Sequence, residues 1–482
     1  MNLDQIANLM NADSTLLSAE LFGRAASGFS IDSREVQAGE LFFAFAQPDY
    51  ANNGFNGDFG DSHDFVADAF SRGAIAAVVR YDKLEKLEEF RGRLLVVEDG
   101  IAALQRLAAG VYRMWNKPVV GITGSAGKTT AKELTAAVLE ANGWRVLRNE
   151  KNYNNGLGHP LTVLRLVIEG DFDAAVLEMG MSTPMNEIER LCRITPPDVG
   201  VELNVLPVHL EHLGTIERIA AAKAELIENM KPTGVAVLNA DDRRVFEMSE
   251  AVGGNRVLTF GIINPAEVTA TDIRPVRFGE TRFVLNTPLG SAEVNLKLNG
   301  VHNIMNALAS AAAGVCFDIA PEKIAAGLSS VKPPPMRGEV LRFKSGFEVV
   351  NDSYNSNPDA LLSMIETIVE NGATAQRKIV IAGEMLELGE RAAEIHFETG
   401  RKIAGMGVDA VFGVRGLAQD LVAGASKAGI KNTIFFSDSA EAAESLLNEI
   451  KPGDLILVKG SRGVRTEQIV HKLLENFERS AD

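Results

Sequence analysis

The 482-residue chain has only two cysteines, Cys192 and Cys316. Two thiols cannot build the disulfide framework of a small secreted domain, and they point to a reducing compartment. Both lie in apolar stretches, where a thiol behaves as a small, inert hydrophobe. Positive charge is also short. The 48 Lys and Arg stand against 64 Asp and Glu, for a net charge of −16. That balance argues against a nucleic-acid binder held by phosphate contacts and against attraction to an anionic membrane surface. An anionic substrate must then be met by local groups: loop amides, metal ions, a few Arg and Lys. No apolar run reaches the length of a membrane span. Met1-Asn2-Leu3-Asp4 opens with neither the basic segment nor the apolar core of a secretory signal, so a soluble, cytoplasmic protein is expected.

What is present is ample core for several domains, with 46% apolar residues. The pattern falls into three blocks. Residues 1–116 read as a small mixed α/β domain, with strands near 40–45, 74–79 and 94–97 and a helix starting near 65–70. Between them, 47–62 is rich in Asn, Gly and Asp, has no periodicity and reads as a loop. Residues 117–332 alternate short apolar strands (119–122, 174–177, 199–201, 234–238) with helices, the mark of a mainly parallel, doubly covered sheet. Lys332-Pro333-Pro334-Pro335 breaks that pattern as a linker. Residues 333–482 alternate again, with strands near 347–351, 378–382, 410–412, 433–436 and 454–458. This block reads as a Rossmann-like α/β domain without a G-x-G-x-x-G fingerprint.

The densest chemical signal is Thr123-Gly124-Ser125-Ala126-Gly127-Lys128-Thr129-Thr130. It lies between a buried strand and a helix expected over 131–142. Backbone N–H groups at a helix start, aided by the helix dipole, grip phosphates. Lys128 would reach the β- and γ-phosphates, and Thr129 would offer its hydroxyl to Mg²⁺. A strict phosphate-loop pattern needs glycine where Ile122 stands, so the reading rests on the compact T-G-S-A-G-K-T-T and its flanks. A glycine-rich turn with an incidental lysine is the alternative.

Other candidates sit at strand ends, where open α/β sheets place their sites. Glu178 follows a buried strand and is placed to hold Mg²⁺; a solvated glutamate would look the same. His209 and His212 lie close together after the next strand, although a histidine is more often structural than a ligand. Lys223 follows three alanines in a helix capped by Thr215, where a solvated lysine is equally at home. In the last block, Asp352-Ser353-Tyr354-Asn355-Ser356-Asn357-Pro358 fits either a ribose and phosphate site or a helix cap. Lys459-Gly460-Ser461-Arg462 offers two cations to an anion, or makes a solvated turn.

In order along the chain, these segments resemble the Mur ligase family of cytoplasmic peptidoglycan synthesis. Asp32-Ser33-Arg34 with Gly39-Glu40-Leu41-Phe42 is similar to the family's uridine-nucleotide region. Residues 123–130 are similar to its ATP loop, including the missing early glycine. Asn152-Tyr153-Asn154-Asn155 resembles the segment that contacts substrate and helps to organise metal. His302-Asn303-Ile304-Met305-Asn306 resembles the helix that meets adenine, through Asn303 and Asn306. Asp352–Pro358 and Gly383-Glu384-Met385-Leu386-Glu387-Leu388-Gly389 resemble signatures of the member that uses D-alanyl-D-alanine. The Asp-Asn-Pro-Arg tetrapeptide of the diamino-acid-adding member is not in the chain, and the 49–60 loop is longer than the family pattern leads one to expect.

The resemblance implies a three-domain ATP-dependent amide ligase acting on UDP-N-acetylmuramoyl-tripeptide and D-alanyl-D-alanine, as a monomer, with ATP and Mg²⁺. It implies ATP contacts from 123–130, Asn303, Asn306, Arg337 and Asp352. Mg²⁺ ligands would be Thr129, Glu178, His209 and Lys223, the last as an N-carboxylated (carbamylated) lysine. A carbamate turns a cation into an oxygen anion, and its formation needs a neutral amine, which a partly desolvated helix face favours. Lys128, Lys223 and His209 take the catalytic roles. Substrate contacts would come from Ser33, Arg34, Asn152, Asn154, Asn155, Tyr354, Asn355, Lys459, Ser461 and Arg462. A folylpolyglutamate-type ligase would lack the Asp-Ser-Arg block; a phosphate-loop kinase would transfer phosphoryl to a hydroxyl without forming an amide.

Overall fold

The computed structural model describes residues 1–482 except 151, 182–185, 208–214, 278, 333–335, 373, 387 and 481–482. His209, His212 and the linker prolines lie outside the described residues. The chain divides into two compact units: Met1–Thr271 with Val284–Val294 and His302–Leu328, and Asp272–Phe283 with Asn295–Val301 and Ser329–Asp482. Among the described residues, no helix is long and apolar enough to cross a membrane.

The first unit opens with a four-stranded parallel sheet of β1 (Phe29–Ser30), β2 (Leu41–Phe43), β3 (Ala76–Arg80) and β4 (Leu94–Val97), in that order. Every residue of β2 and β4 is buried, as expected of parallel strands covered on both faces. The Gly100–Trp115 helix is capped by Asp99, which accepts from the Ala102 N–H. Its Ile101, Leu104, Leu107 and Val111 join one core with Val119 and Leu164 of the next block.

The expected 47–62 loop is corrected by the structure, where Gln47–Asn52 is a helix. Pro48 occupies its first turn. Asp49 is fully buried, accepts from the Ala46 and Gly100 N–H groups at 2.7 and 3.0 Å, and pairs with Arg80 at 2.8 Å. Arg80 and Gly100 come from 31 and 51 residues away. No local hydrophobic period could report them. Tyr50 and Phe59 then stack at 4.0 Å and close the segment on itself.

The second sheet is built on β5 (Val119–Thr123), β6 (Val146–Arg148), β7 (Ala174–Glu178), β8 (Val199–Glu202), β9 (Val235–Asn239) and β10 (Arg256–Gly261). All are parallel, in the order β10-β9-β8-β5-β7-β6. β7 and β6 lie on one side of β5 and β8, β9 and β10 on the other, so the chain changes side of β5 between β7 and β8, and the carboxyl end of β5 is a topological switch point, where such sheets bind ligands. The Lys128–Ala141 helix begins three residues before the expected 131, because Gly127, at φ +86°, serves as its N-cap. β11 (Val268–Arg277), which pairs with β10 through Phe260↔Val268, leads to β12 (Glu280–Thr287) and β13 (Gly290–Leu296).

The second unit carries β14 (Glu339–Arg342), β15 (Glu348–Asp352), β16 (Arg377–Gly383), β17 (Ala410–Val414), β18 (Asn432–Phe436) and β19 (Asp454–Lys459). Their order is β14-β15-β19-β16-β17-β18, with only β14 antiparallel to its neighbour. Successive residues feed opposite layers: Val349, Ile379 and Ile456 one core, Val350, Val380 and Leu457 the other. The Pro358–Asn371 helix is capped by Asn357, with Pro358 in its first turn as expected.

Candidate nucleotide and metal site

The loop after β5 is shaped by two glycines, Gly124 at φ +151° and Gly127 at φ +86°. A Cβ on Gly127 would also stand 2.4 Å from Asn306 Oδ1, so this glycine answers both a backbone and a packing requirement. Asn306, itself bonded to Asn303 at 3.3 Å, thus lies against the loop, and Asn303 joins it there. Asn204, which the sequence did not single out, clamps the loop. Its carbonyl accepts from the Ser125 N–H at 2.9 Å, its Oδ1 from the Ala126 N–H at 2.9 Å, and its Nδ2 donates to Ala126 O at 3.1 Å. Lys128 folds back and donates to Gly124 O at 2.7 Å. Burial lowers the pKa of its amine, while Glu178 and Glu202 pull it back up. Thr130 follows within the first helical turn.

Glu178, at the end of β7, is 5% exposed and already joined to the loop. The Thr129 hydroxyl donates to Oε2 at 3.0 Å and Asn154 Nδ2 to Oε1 at 2.8 Å. Gly180 lets Asn154 approach, since a Cβ there would meet its side chain at 2.8 Å. The Glu178 backbone is held by Asn149, another residue the sequence reading missed: its Oδ1 accepts from the Glu178 N–H at 2.6 Å and its Nδ2 donates to Tyr153 O at 2.8 Å. A buried carboxylate beside a loop threonine fits Mg²⁺, a hard cation that takes oxygen ligands. Among the described residues, no three His, Cys, Asp or Glu side chains gather into a ready-made metal cage.

On the other side of β5, Thr123 and Glu202 are register partners. Lys223, in the Ile216–Glu228 helix, is 3% exposed, and its pKa is pushed down to about 8 by burial, against the pull of Glu202. Thr215 caps that helix as expected, accepting from the Arg218 N–H at 3.3 Å.

Ser33 and Arg34 line a 960 Å³ cavity in the first unit, with Asp32, Glu40, Tyr153 and Arg165. Arg34 is mostly exposed and paired with Asp32 at 2.6 Å. Asn152 is exposed. Asn155 turns out to use Oδ1 for structure, accepting from the Leu157 and Gly158 N–H groups at 3.1 and 2.9 Å. Cys192 is buried as expected, whereas Cys316 is only half-buried; burial pushes both thiols up, Cys316 to about 12.

In the second unit, Lys459 is not a free cation. It bonds Asp352 at 2.5 Å and Asn355 O at 2.9 Å. Burial raises the Asp352 carboxyl more than Lys459 lowers it. Ser461 donates to Ser356 O at 3.3 Å and accepts from the Leu386 N–H at 3.0 Å. Arg462 pairs with Glu467 at 3.1 Å, and Arg337 lies 4.1 Å over the ring of Tyr354. The strand-end cluster is thus real, with its charges largely paired.

The helix N-terminus at Lys128, its amine and the Thr129–Glu178 pair meet at the carboxyl ends of β5 and β7, and that arrangement defines a phosphate-loop nucleotide enzyme. Comparison with known proteins narrows the class. Residues 122–314 match the family model described as Mur ligase middle domain, and 336–462 the one described as Mur ligase, glutamate ligase domain. The UDP-N-acetylmuramoyl-tripeptide--D-alanyl-D-alanine ligase of Bacillus subtilis (strain 168) is 33% identical over 450 residues, 93% of each chain. Its namesake from Escherichia coli (strain K12) is 32% identical over 480 residues, 99% of each chain. A crystal structure of MurF from Acinetobacter baumannii superimposes with a TM-score of 0.86 at 28% identity, covering 98% of both chains. The MurF ligase from Thermotoga maritima in complex with ADP gives 0.74 at 30% identity, over 93% of this chain and 97% of that one. The chain belongs to the Mur ligase family.

Proposed function

We propose that this chain is an ATP-dependent amide ligase of cytoplasmic peptidoglycan precursor synthesis, joining D-alanyl-D-alanine to UDP-N-acetylmuramoyl-tripeptide. The observation that carries the reading is the Lys128 loop tied to Glu178 through Thr129, in a chain that aligns nearly end to end with ligases of that name. The ADP bound to the Thermotoga maritima relative supports nucleotide use here. The three sheets support a division near residues 116 and 332, with the first block taking the uridine nucleotide through Ser33 and Arg34.

A carboxylate is a poor electrophile and hydroxide a poor leaving group, so direct condensation in water fails. The tripeptide carboxylate attacks the γ-phosphorus of ATP, the bond to ADP breaks, and an acyl phosphate forms. The amine of D-alanyl-D-alanine attacks its carbonyl carbon, phosphate leaves, and the nitrogen loses its proton. Lys128 leaves Gly124 O for the phosphates, and the amides at the start of the Lys128–Ala141 helix hold them. Mg²⁺, held by Thr129 and Glu178, would neutralise charge on the phosphates. His209 and a carbamylated Lys223 would add ligands. Phosphate release with each substrate omitted in turn is the test. Release should need ATP, UDP-muramoyl-tripeptide and dipeptide together, with mass spectrometry showing the amide; full-rate ADP formation without the dipeptide would overturn the reading.

The Lys223 assignment makes its own prediction. Because burial brings its pKa down to about 8, the neutral amine that reacts with CO₂ gains ground between pH 7 and 9. ¹³C NMR in labelled bicarbonate should show a carbamate signal that grows over that range and vanishes in Lys223→Ala. A spectrum identical in the two proteins would remove the carbamate from the scheme.

A further inference from the structure

The segment that is longer than the family pattern leads one to expect is also stapled along its length. A connection rich in Asn and Gly is usually mobile; here the polar side chains are spent on the segment's own backbone. Gln47 donates from Nε2 to Gly57 O at 2.8 Å and accepts from the Phe59 N–H on Oε1 at 2.8 Å. Asn53 Nδ2 donates to Asp49 O at 2.8 Å and to the Asp99 carboxylate at 3.1 Å. Ser62 Oγ accepts from the Phe45 N–H at 2.6 Å. Tyr50 meets the Phe55 ring edge-on at 6.0 Å and stacks on Phe59. Such a network fixes one backbone shape before a ligand binds.

Its place matters as much as its stiffness. Ser62, at one end, lines the 960 Å³ cavity with Ser33, Glu150 and Tyr153. The middle lies against the continuation of the candidate substrate segment 152–155, since a Cβ on Gly156 would stand 3.3 Å from the Phe55 ring. It also abuts the Glu187–Ile194 helix, where a Cβ on Gly54 would stand 2.6 Å from a guanidinium nitrogen of Arg190. Between Tyr153 in the cavity and Glu178 at the phosphate end lies Asn154, bonded to the Glu178 carboxylate at 2.8 Å. A substrate with its uridine in the cavity and its reacting carboxylate at the phosphates must cross that interval, and residues 54–59 run beside it. Two side chains there have something to offer. Phe55 is half-buried, so part of its ring stays open; Asn56 is exposed, and among the described residues no group bonds its amide.

We propose that residues 54–59 are a specificity element for the muramoyl-peptide part of the UDP-linked substrate, a wall along its path from the uridine cavity to Glu178. Phe55 gives an apolar face to the sugar ring or an alanyl methyl, and Asn56 gives an amide to the peptide groups. Aromatic surface with a few polar anchors is the combination that orients small ligands. Because the wall is already formed, little ordering is lost on binding, and its contribution falls on the peptide-bearing substrate rather than on the uridine end. This rests on the ligase reading and on uridine occupying the Ser33 cavity.

The test is isothermal titration calorimetry of the full chain with UDP and, separately, with UDP-N-acetylmuramoyl-tripeptide. Phe55→Ala should weaken the tripeptide compound about tenfold or more and leave UDP within about twofold. Asn56→Ala, at an exposed side chain whose loss cannot unseat the core, should weaken the same compound about threefold with UDP again unmoved. In steady-state assays the KM for the UDP-linked substrate should rise in step while the KM for ATP stays level. Equal losses for the two ligands would overturn the proposal, making the segment a support of the uridine cavity. So would tripeptide affinity kept in both variants, with a lowered melting temperature in Phe55→Ala marking that ring as packing alone. A wild-type chain that bound neither compound would defeat the uridine premise and the proposal with it. One that bound both yet formed no amide from ATP, tripeptide compound and dipeptide would defeat the ligase reading alone, so the failures are distinguishable.

Discussion

Lys128→Ala should lower turnover by about 10³-fold or more, roughly 4 kcal/mol of transition-state stabilisation, while the melting temperature stays level or rises. The two halves of that expectation have one cause. Lys128 is a partly buried cation, and its charge is opposed by desolvation and only partly offset by Glu178 and Glu202. Its single short bond is to Gly124 O, at the far end of the same loop. Alanine removes a desolvated charge and one side-chain hydrogen bond, and the Gly127–Asn306 packing and the Asn204 clamp remain. Against phosphates the balance reverses: the same amine meets several negative oxygens where water is excluded, and its loss is felt most as charge moves to the leaving ADP. Single-turnover phosphate release beside a thermal melt checks both halves. Turnover within tenfold of wild type would remove Lys128 from the chemistry, and a melt lowered by many degrees would make it a structural residue.

How much of this could be read from residues alone divides along a physical line. Strands β5, β7, β8 and β15 to β19 were legible because each is a short, nearly continuous apolar run between turn residues, and Lys128 was legible because its loop chemistry is local. Glu178 was legible as a strand-end carboxylate, but its grip by Thr129 and Asn154 spans 49 and 24 residues. Asn149 and Asn204 were missed because an asparagine that clamps backbone looks like any loop asparagine. Glu202 was missed for the opposite reason. It stands in the run Val199-Gly200-Val201-Glu202-Leu203, where the apolar flanks that bury it are themselves the available signal. The Gln47–Asn52 helix and β10 to β13 escaped because distant ion pairs set the one, and half-exposed, polar alternation hides the others.

Glu178→Gln should raise the Mg²⁺ concentration needed for half-maximal rate by about tenfold or more and lower the maximal rate by about a hundredfold, with little change in the melt. Glutamine keeps the length of the side chain and one oxygen. Asn154 Nδ2 can still donate to that oxygen, and the Thr129 hydroxyl can turn its proton elsewhere. The Asn149 clamp acts on the Glu178 backbone and does not depend on charge. What is lost is the anion. A neutral amide is a weaker ligand for a hard cation, and Lys128 loses one of its two favourable charges. Rates measured over a Mg²⁺ series at fixed ATP separate these effects. A metal defect shows as a shifted midpoint that high Mg²⁺ partly repairs, whereas a misplaced loop lowers the rate at every concentration with the midpoint fixed. An unshifted midpoint would take Glu178 out of the metal site, and Thr129 could then owe its bond to Glu178 to structure alone.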